Sequence, residues 1–268
     1  MRDGIRVAET GAMPRRLLVT VAAFAALATT GVAEARWQPP VGTEWQWQLD
    51  GRLDFSVQVP VYDVDGFETT KRQVARLHGL GRRAVCYVNA GAWERWRPDR
   101  DRFPASVLGN GLDGWPGERW LDIRKIGVLR PIMRDRIARC ARKGFDAIEP
   151  DNIEGYANGS GFPLTGEDQL RYNRWFAKAA HDSGLSIALK NDLGQVRKLV
   201  SSFDFAIVEE CFHYRECGRA RPFILAGKAV LEVEYKLHRS AFCNRAKTLR
   251  FSAMRKRLAL GPWRRACV

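Results

Sequence analysis

Short apolar runs that break off in polar or acidic residues recur along this chain. The sharpest is residues 144–156, GFDAIEPDNIEGY. Side chains alternate along a strand, so Phe145, Ala147, Glu149 and Asp151 would share one face. Two carboxylates leaving an apolar face at a strand's end need partners or a function, because an ionised acid is costly to bury. A strand followed by a solvated acidic loop would account for this stretch alone. It does not account for the recurrence.

The run at 55–62 ends in Asp63-Val64-Asp65, and the run at 83–88 ends in Asn89-Ala90-Gly91-Ala92-Trp93-Glu94. Residues 185–189 lead into Lys190-Asn191-Asp192, 203–208 into Glu209-Glu210, and 228–233 into Glu234-Tyr235. A weaker run at 119–123 and a short one at 249–254 complete eight strand candidates. Helix-like segments lie between them at 69–78, 128–143 and 169–182, the last opened by a capping-box pattern, Thr165 with Asp168. Alternating strands and helices predict a parallel sheet with crossover helices. Eight such units predict class α/β, a single (β/α)8 TIM-type barrel over residues 36–268, with its site at the C-terminal ends of the strands. A doubly wound open sheet would place a ligand at one switch point and leave polar endings after most strands unexplained. Its glycine-rich phosphate fingerprint is also missing. The Trp-, Pro- and Gly-rich segment 95–117 is long enough for a lid or a cleft wall. Trp45 and Trp47 would share one face of an extended segment, either as a sugar-stacking surface or as a plug at one barrel end.

Residues 1–35 read as a secretory signal peptide. Arg15 and Arg16 precede an apolar stretch from Leu17 to about Val32, and Ala33-Glu34-Ala35 is a small-x-small cleavage site. The protein is therefore expected to be secreted, extracellular and, after signal removal, free of the membrane. Six cysteines suit an oxidising compartment and allow fifteen pairings. Cys211 and Cys217 bracket a short loop, Cys243 and Cys267 suit a clasp on the C-terminal segment, and Cys86 and Cys140 remain. Neither a Cys-x-x-Cys pair nor a His-Glu-x-x-His run exists and the four histidines are scattered, so no metal and no cofactor is expected. The net charge is +14; residues 1–35 carry four of the basic and three of the acidic residues, which leaves +13. Without a basic helix, a nucleic-acid motif or a basic tail, this reads as an arginine-rich exterior and not as a nucleic-acid surface. A monomer is expected.

The strand ends collect the candidate site: acids Asp63, Asp65, Glu149, Asp151, Glu209 and Glu210; amides Asn89, Asn152 and Asn191; Lys190; and aromatics Tyr87, Trp93, Phe212, Tyr214 and Tyr235. No serine sits in a nucleophile elbow with a histidine partner, which argues against acyl transfer. Two acids and several aromatics in an open cleft suit glycoside hydrolysis. One carboxyl protonates the leaving oxygen while the other attacks the anomeric carbon or activates water.

The segments WQWQL, VYDVDGF, CYVNAGAWE, DGWPGERWLDIR, GFDAIEPDNIEGY, GFPLTGEDQLRYNRW, LKND, FDFAIVEECFHY and AGKAVLEVEY cover nearly all of the chain after residue 35. In this order they resemble glycoside hydrolase family 114, the endo-α-1,4-polygalactosaminidases. The resemblance implies a (β/α)8 barrel, cleavage within galactosamine-containing polymers, and a catalytic acid pair mapping onto Asp151 and Glu209. By analogy with retaining α-glycosidases on similar barrels, Asp151 is the expected nucleophile and Glu209 the acid/base. Substrate contacts are expected from Asp63, Asp65, Tyr87, Asn89, Trp93, Glu149, Asn152, Lys190, Asn191, Glu210, Tyr214 and Tyr235. A galactosamine polymer is itself cationic, so a basic protein needs a locally acidic cleft to bind it. A barrel hydrolase of another α-linked polysaccharide, or a sugar-binding barrel without activity, stays open as an alternative.

The mature protein should begin near Arg36 and contain no free thiol. Intact mass before and after alkylation without reductant tests both; labelling at several cysteines would contradict the second.

Overall fold

Strands apolar on both faces need cover on both faces, and a parallel sheet meets that demand. The computed structural model describes residues 1, 3, 4, 8, 11 and 36–267, so the signal peptide expected over 1–35 lies almost wholly outside the described residues. The chain divides into Met1–Ala35 and Arg36–Val268, and the fold below is that of the second unit.

Its strands are β1 (Trp45–Gln48), β2 (Val61–Asp65), β3 (Arg83–Asn89), β4 (Ala92–Glu94), β5 (Leu108–Leu112), β6 (Trp115–Leu121), β7 (Ala147–Asp151), β8 (Ser186–Lys190), β9 (Phe205–Glu209), β10 (Val230–Glu234), β11 (Ser252–Arg255) and β12 (Arg265–Ala266). Its α-helices are α1 (Lys71–Gly79), α2 (Ile126–Lys143), α3 (Gly166–Asp182), α4 (Val196–Leu199), α5 (Arg221–Leu225) and α6 (Arg239–Leu249). The main sheet runs β1-β2-β3-β7-β8-β9-β10-β11, every neighbouring pair parallel, with β12 antiparallel at its end. One face carries Trp45, Trp47, Val61, Val85, Ala147, Ala188, Phe205, Ile207, Leu231, Val233 and Met254 in a single core. The opposite face, with Val64, Cys86, Val88, Ile148, Ile187 and Val208, belongs to the core shared with the helices.

The α/β class expected from the sequence is observed, and the strand roster needs two corrections. The run at 119–123 contributes residues 119–121 to the end of β6, in a separate antiparallel sheet ordered β4-β6-β5, and none to the parallel sheet. The cause is the Asp113-Gly114 turn, with Gly114 at φ 79°, which folds β5 back onto β6 as a hairpin. The place falls to β1, whose Gln46 and Gln48 are buried where an exposed polar row would be usual. Their amides are satisfied: Gln46 donates to the Pro262 carbonyl at 2.7 Å and Gln48 to the Arg52 carbonyl at 2.9 Å. β2 also starts late, at Val61, after Pro60, which has no N–H for a ladder. The indole N–H of Trp45 donates to the Ser252 carbonyl at 2.8 Å and draws together the outer parallel strands β1 and β11. Among the described residues no backbone ladder joins these two, so the observed pairing is a curled sheet and not a closed ring.

The capping box at Thr165 and Asp168 opens α3 as expected. The three disulfides are Cys86–Cys140, Cys211–Cys217 and Cys243–Cys267, leaving no free cysteine among the described residues. Among those residues no helix is long and apolar enough to cross a membrane.

Cys86–Cys140 ties β3 to α2 across a sequence separation of 54. Chain-entropy arithmetic for such a loop gives about 4 kcal/mol. A Cys86→Ala, Cys140→Ala double variant should lose stability of that order in urea unfolding. A loss well under 1 kcal/mol would show that the bridge adds nothing to the packing of α2.

Candidate active site

Inward side chains of the main sheet change from apolar to polar at the C-terminal ends of the strands, and the change is centred on one cation. Lys190, the last residue of β8, is 1% exposed. Its Nζ lies 2.9 Å from Glu149 Oε1, 2.9 Å from Asp151 Oδ1 and 3.2 Å from Glu209 Oε2. The Trp47 ring lies 4.6 Å from it. Burial alone would lower the pKa of this ammonium; Asp151, Glu149 and Glu209 instead hold it well above the usual lysine value.

The three acids divide by exposure. The Glu149 side chain is 0% exposed and lies beneath the site, whereas Asp151 at 18% and Glu209 at 25% face the cleft. Asp151 Oδ2 accepts from the Tyr87 hydroxyl at 2.8 Å and from the Asn152 amide at 3.3 Å. Glu209 accepts from the Tyr235 hydroxyl and, at 3.2 Å, from the Asn191 amide, whose own oxygen accepts from the Glu209 backbone N–H. Because Asp151 Oδ1 and Glu209 Oε2 touch one nitrogen at 2.9 and 3.2 Å, they lie no more than about 6 Å apart. Each strand ending in one of these groups is followed by a left-handed residue: Asn152 (φ 60°), Asn191 (φ 49°) and Glu210 (φ 52°). Asparagine tolerates that region, but Glu210 does so at a cost of about 1 kcal/mol or more. Gly91 packs against the first of these turns; a Cβ there would meet the Asn152 carbonyl oxygen at 1.7 Å.

The cleft above has a volume of about 900 Å³. Of the expected site residues, Asp65, Tyr87, Asp151, Asn152, Lys190, Asn191, Glu209, Glu210, Tyr214 and Tyr235 line it. Four do not. Asp63, Asn89 and Glu149 are fully buried, Asn89 donating to Glu118 Oε2 at 3.1 Å and accepting from the Ala92 N–H at 2.7 Å. Trp93 packs on the helix-side core and donates to the Arg100 carbonyl at 3.1 Å. Asp65 reaches the cleft but is committed to Arg97, 2.7 Å away, which also bonds Glu94 at 2.8 Å.

Sequence reasoning missed Arg97, Glu118, Glu154, Tyr156, Asp192 and the rim tryptophans Trp96 and Trp115, all of which line the cleft. Segment 95–117 forms a wall, as one of its two readings allowed: Trp96, Leu112 and Trp115 line the cleft from it, and Glu118 follows on β6. Burial, then Glu94 and Asp151, push the Glu118 carboxyl up to about 8; burial pushes Asp192 up to about 7. Burial and then Asp151 hold Glu154 well above the carboxylate range. Eleven acidic and three basic side chains line the cleft, so it is acidic although the chain carries +14.

Lys190→Met keeps most of the length of the side chain and removes its charge. Leaving buried carboxylates without their cation costs about 3–5 kcal/mol. Urea unfolding at neutral pH should show that loss, and a change below about 1 kcal/mol would mean the three contacts add little.

The sequence profile described as glycoside-hydrolase family GH114 matches residues 26–268. The crystal structure of Aspergillus fumigatus Ega3 in complex with galactosamine is 38% identical, with a TM-score of 0.83, over 87% of this chain and 98% of that one. The glycoside hydrolase domain of PelA from Pseudomonas aeruginosa, at 12% identity, TM-score 0.64 and coverage of 81% and 95%, shares the fold. So does the α-galactosidase TtGalA from Thermus thermophilus, at 14% identity, TM-score 0.55 and coverage of 81% and 58%. No curated protein matches the chain. With the match running through every strand that contributes to the acidic cleft, the chain belongs to glycoside-hydrolase family GH114 and is a glycoside hydrolase.

Proposed function

We propose that this protein is a secreted, monomeric hydrolase that cleaves α-1,4 bonds within galactosamine-containing polysaccharide with retention of configuration. The carrying observation is the ammonium shared by Asp151 and Glu209. It limits their contacting oxygens to about 6 Å, an upper bound compatible with the roughly 5–5.5 Å between the carboxyl groups of a retaining pair. On this reading Asp151 attacks the anomeric carbon while Glu209 protonates the departing glycosidic oxygen. Glu209 then takes a proton from the water that releases the glycosyl-enzyme. Glu149 is excluded from both roles by its burial.

Two further observations support the substrate class. Ega3, which is 38% identical, was crystallised with galactosamine. The acidic lining suits protonated amino sugars and resolves the conflict between a cationic polymer and a basic protein. Exposed Trp96, Trp115 and Tyr214 at the cleft offer stacking surfaces along a chain, in keeping with endo action. The fold completing this reading is a (β/α)8 barrel closed between β1 and β11. The three disulfides suit an oxidising compartment outside the cytoplasm.

Reducing-end release from de-N-acetylated and N-acetylated galactosaminogalactan, compared side by side, tests the substrate. Preference for the de-N-acetylated polymer is expected; release from neither, with cleavage of another α-linked polysaccharide, would contradict it. Asp151→Asn should abolish turnover and keep binding. Glu209→Gln should lower kcat on polymer by about 10²–10⁴-fold while an activated substrate with a good leaving group still reacts. Azide should rescue Asp151→Ala with the opposite anomer as product. Full polymer activity in either variant would overturn the assignment.

A further inference from the structure

Beneath the proposed reacting groups lies an acid that, among the described residues, touches neither the cleft nor a cation. Asp63 is 0% exposed and sits on the inward row of β2, its Cα paired with Trp47 of β1 and with Val85 of β3. Valine or leucine would suit such a position, and an ionised carboxylate there carries a large desolvation penalty. Among the described residues no N–H or hydroxyl reaches either of its oxygens. The Glu149 carboxyl, equally buried, faces it, and Glu149 Oε2 is likewise a buried oxygen without a donor among the described residues. Ionised carboxylates only accept, so two that face each other must share a proton.

The surroundings decide which acid holds it. Glu149 contacts the Lys190 ammonium at 2.9 Å, which favours its ionised form. Asp63 has no such contact. The charged groups acting on it are Glu149 and Asp151 of β7 and Lys190 of β8, while β1 and β3 present Trp47 and Val85 beside it. One ammonium already serves three carboxylates, and a fourth charge would be unmatched. Burial, and then the Glu149 charge, hold the Asp63 carboxyl well above the usual range.

We propose that Asp63 is a positioning residue for the hydrolysis: as a neutral acid it donates its proton to Glu149, and through Glu149 it holds Lys190 between Asp151 and Glu209. The inference rests on Asp151 and Glu209 being the reacting pair. Among the described residues Glu149 Oε2 has no donor other than this proton. With it, the Glu149 carboxylate is fixed at both ends, by Asp63 below and Lys190 above. The ammonium then has one rigid support, and its contacts to Asp151 and Glu209 set the spacing of the two acids. Without the donor Glu149 can rotate, and its own pKa rises for want of a hydrogen bond to the charged form.

Two substitutions separate proton donation from charge and from bulk. Asp63→Leu fills the space and donates nothing; Asp63→Asn donates an amide N–H in place of the acid's O–H and carries no charge. Asp63→Leu should lower kcat at least about 100-fold, the cost of misplacing reacting groups by about 1 Å, with little change in KM. The acid limb of its kcat profile should move to higher pH. Asp63→Asn should recover most of the lost kcat and the wild-type pH profile. Infrared difference spectra of wild type against Asp63→Asn at neutral pH should show one protonated-carboxyl carbonyl band lost. This last measurement needs no substrate and no folded Leu variant. An absent band, an Asn variant as impaired as the Leu variant, or a Leu variant with wild-type kcat would overturn the proposal. If wild type cleaves no galactosamine polymer, the functional reading fails, and the infrared band still decides whether Asp63 holds the proton.

Discussion

A lysine ammonium with almost no access to water, held by three carboxylates, is the interaction on which the candidate active site depends. Taking such an ion out of water costs several kcal/mol, and a single carboxylate seldom repays that. Lys190 has three, at 2.9, 2.9 and 3.2 Å, each from the end of a parallel strand or its last turn inward. The cluster forms only if β7, β8 and β9 keep their register, because a slip of one residue would turn these side chains to the helix side. The register is in turn held by the apolar rows below, where Ala147 and Ala188 share a core with the stacked pair Trp45 and Trp47. Site and core are therefore parts of one column of side chains.

Above the ammonium, rigidity comes from the turns. Left-handed Asn152, Asn191 and Glu210 bend the chain away directly after Asp151, Lys190 and Glu209, so each functional group is the last residue of a strand and not the first of a loop. The wall opposite is fastened by buried arginines. Arg97 bonds Asp65 and Glu94, and Arg136 of α2, 1% exposed, bonds Asp99 at 2.8 Å and also the Asn89 carbonyl. Positive charge that reads from composition as an arginine-rich exterior thus partly serves, inside, to pin acidic loops. What remains at the cleft surface is the uncompensated acid that a cationic sugar polymer requires.

Much of this was legible in the sequence because strand parity is a local property. It puts Glu149 with Asp151 and Glu209 with Ile207 on one face; the capping box and Cys211–Cys217 follow from short-range patterns, and Cys86–Cys140, 54 residues apart, is left by elimination once Cys243 and Cys267 are paired. The failures are non-local. Gln46 and Gln48 conceal β1, since nothing in WQWQ reveals that distant carbonyls at Pro262 and Arg52 satisfy buried amides. Residues 119–123 resemble a barrel strand, and only the Asp-Gly turn before them marks a hairpin. Parity assigns a face but not a depth: Asp63, Glu149 and Asp151 all point inward, and only the third reaches the cleft. The commitment of Asp65 to Arg97 depends on a partner 32 residues away in sequence.

If one ammonium holds Asp151 and Glu209 as a retaining pair, the first product must keep the α configuration. The anomeric configuration of the first reducing ends, followed by proton NMR from the moment enzyme meets a galactosamine oligomer, tests it most directly. With retention the α-anomer accumulates first and mutarotates afterwards to the equilibrium mixture. Initial accumulation of the β-anomer would mean that water attacks directly, and would contradict it.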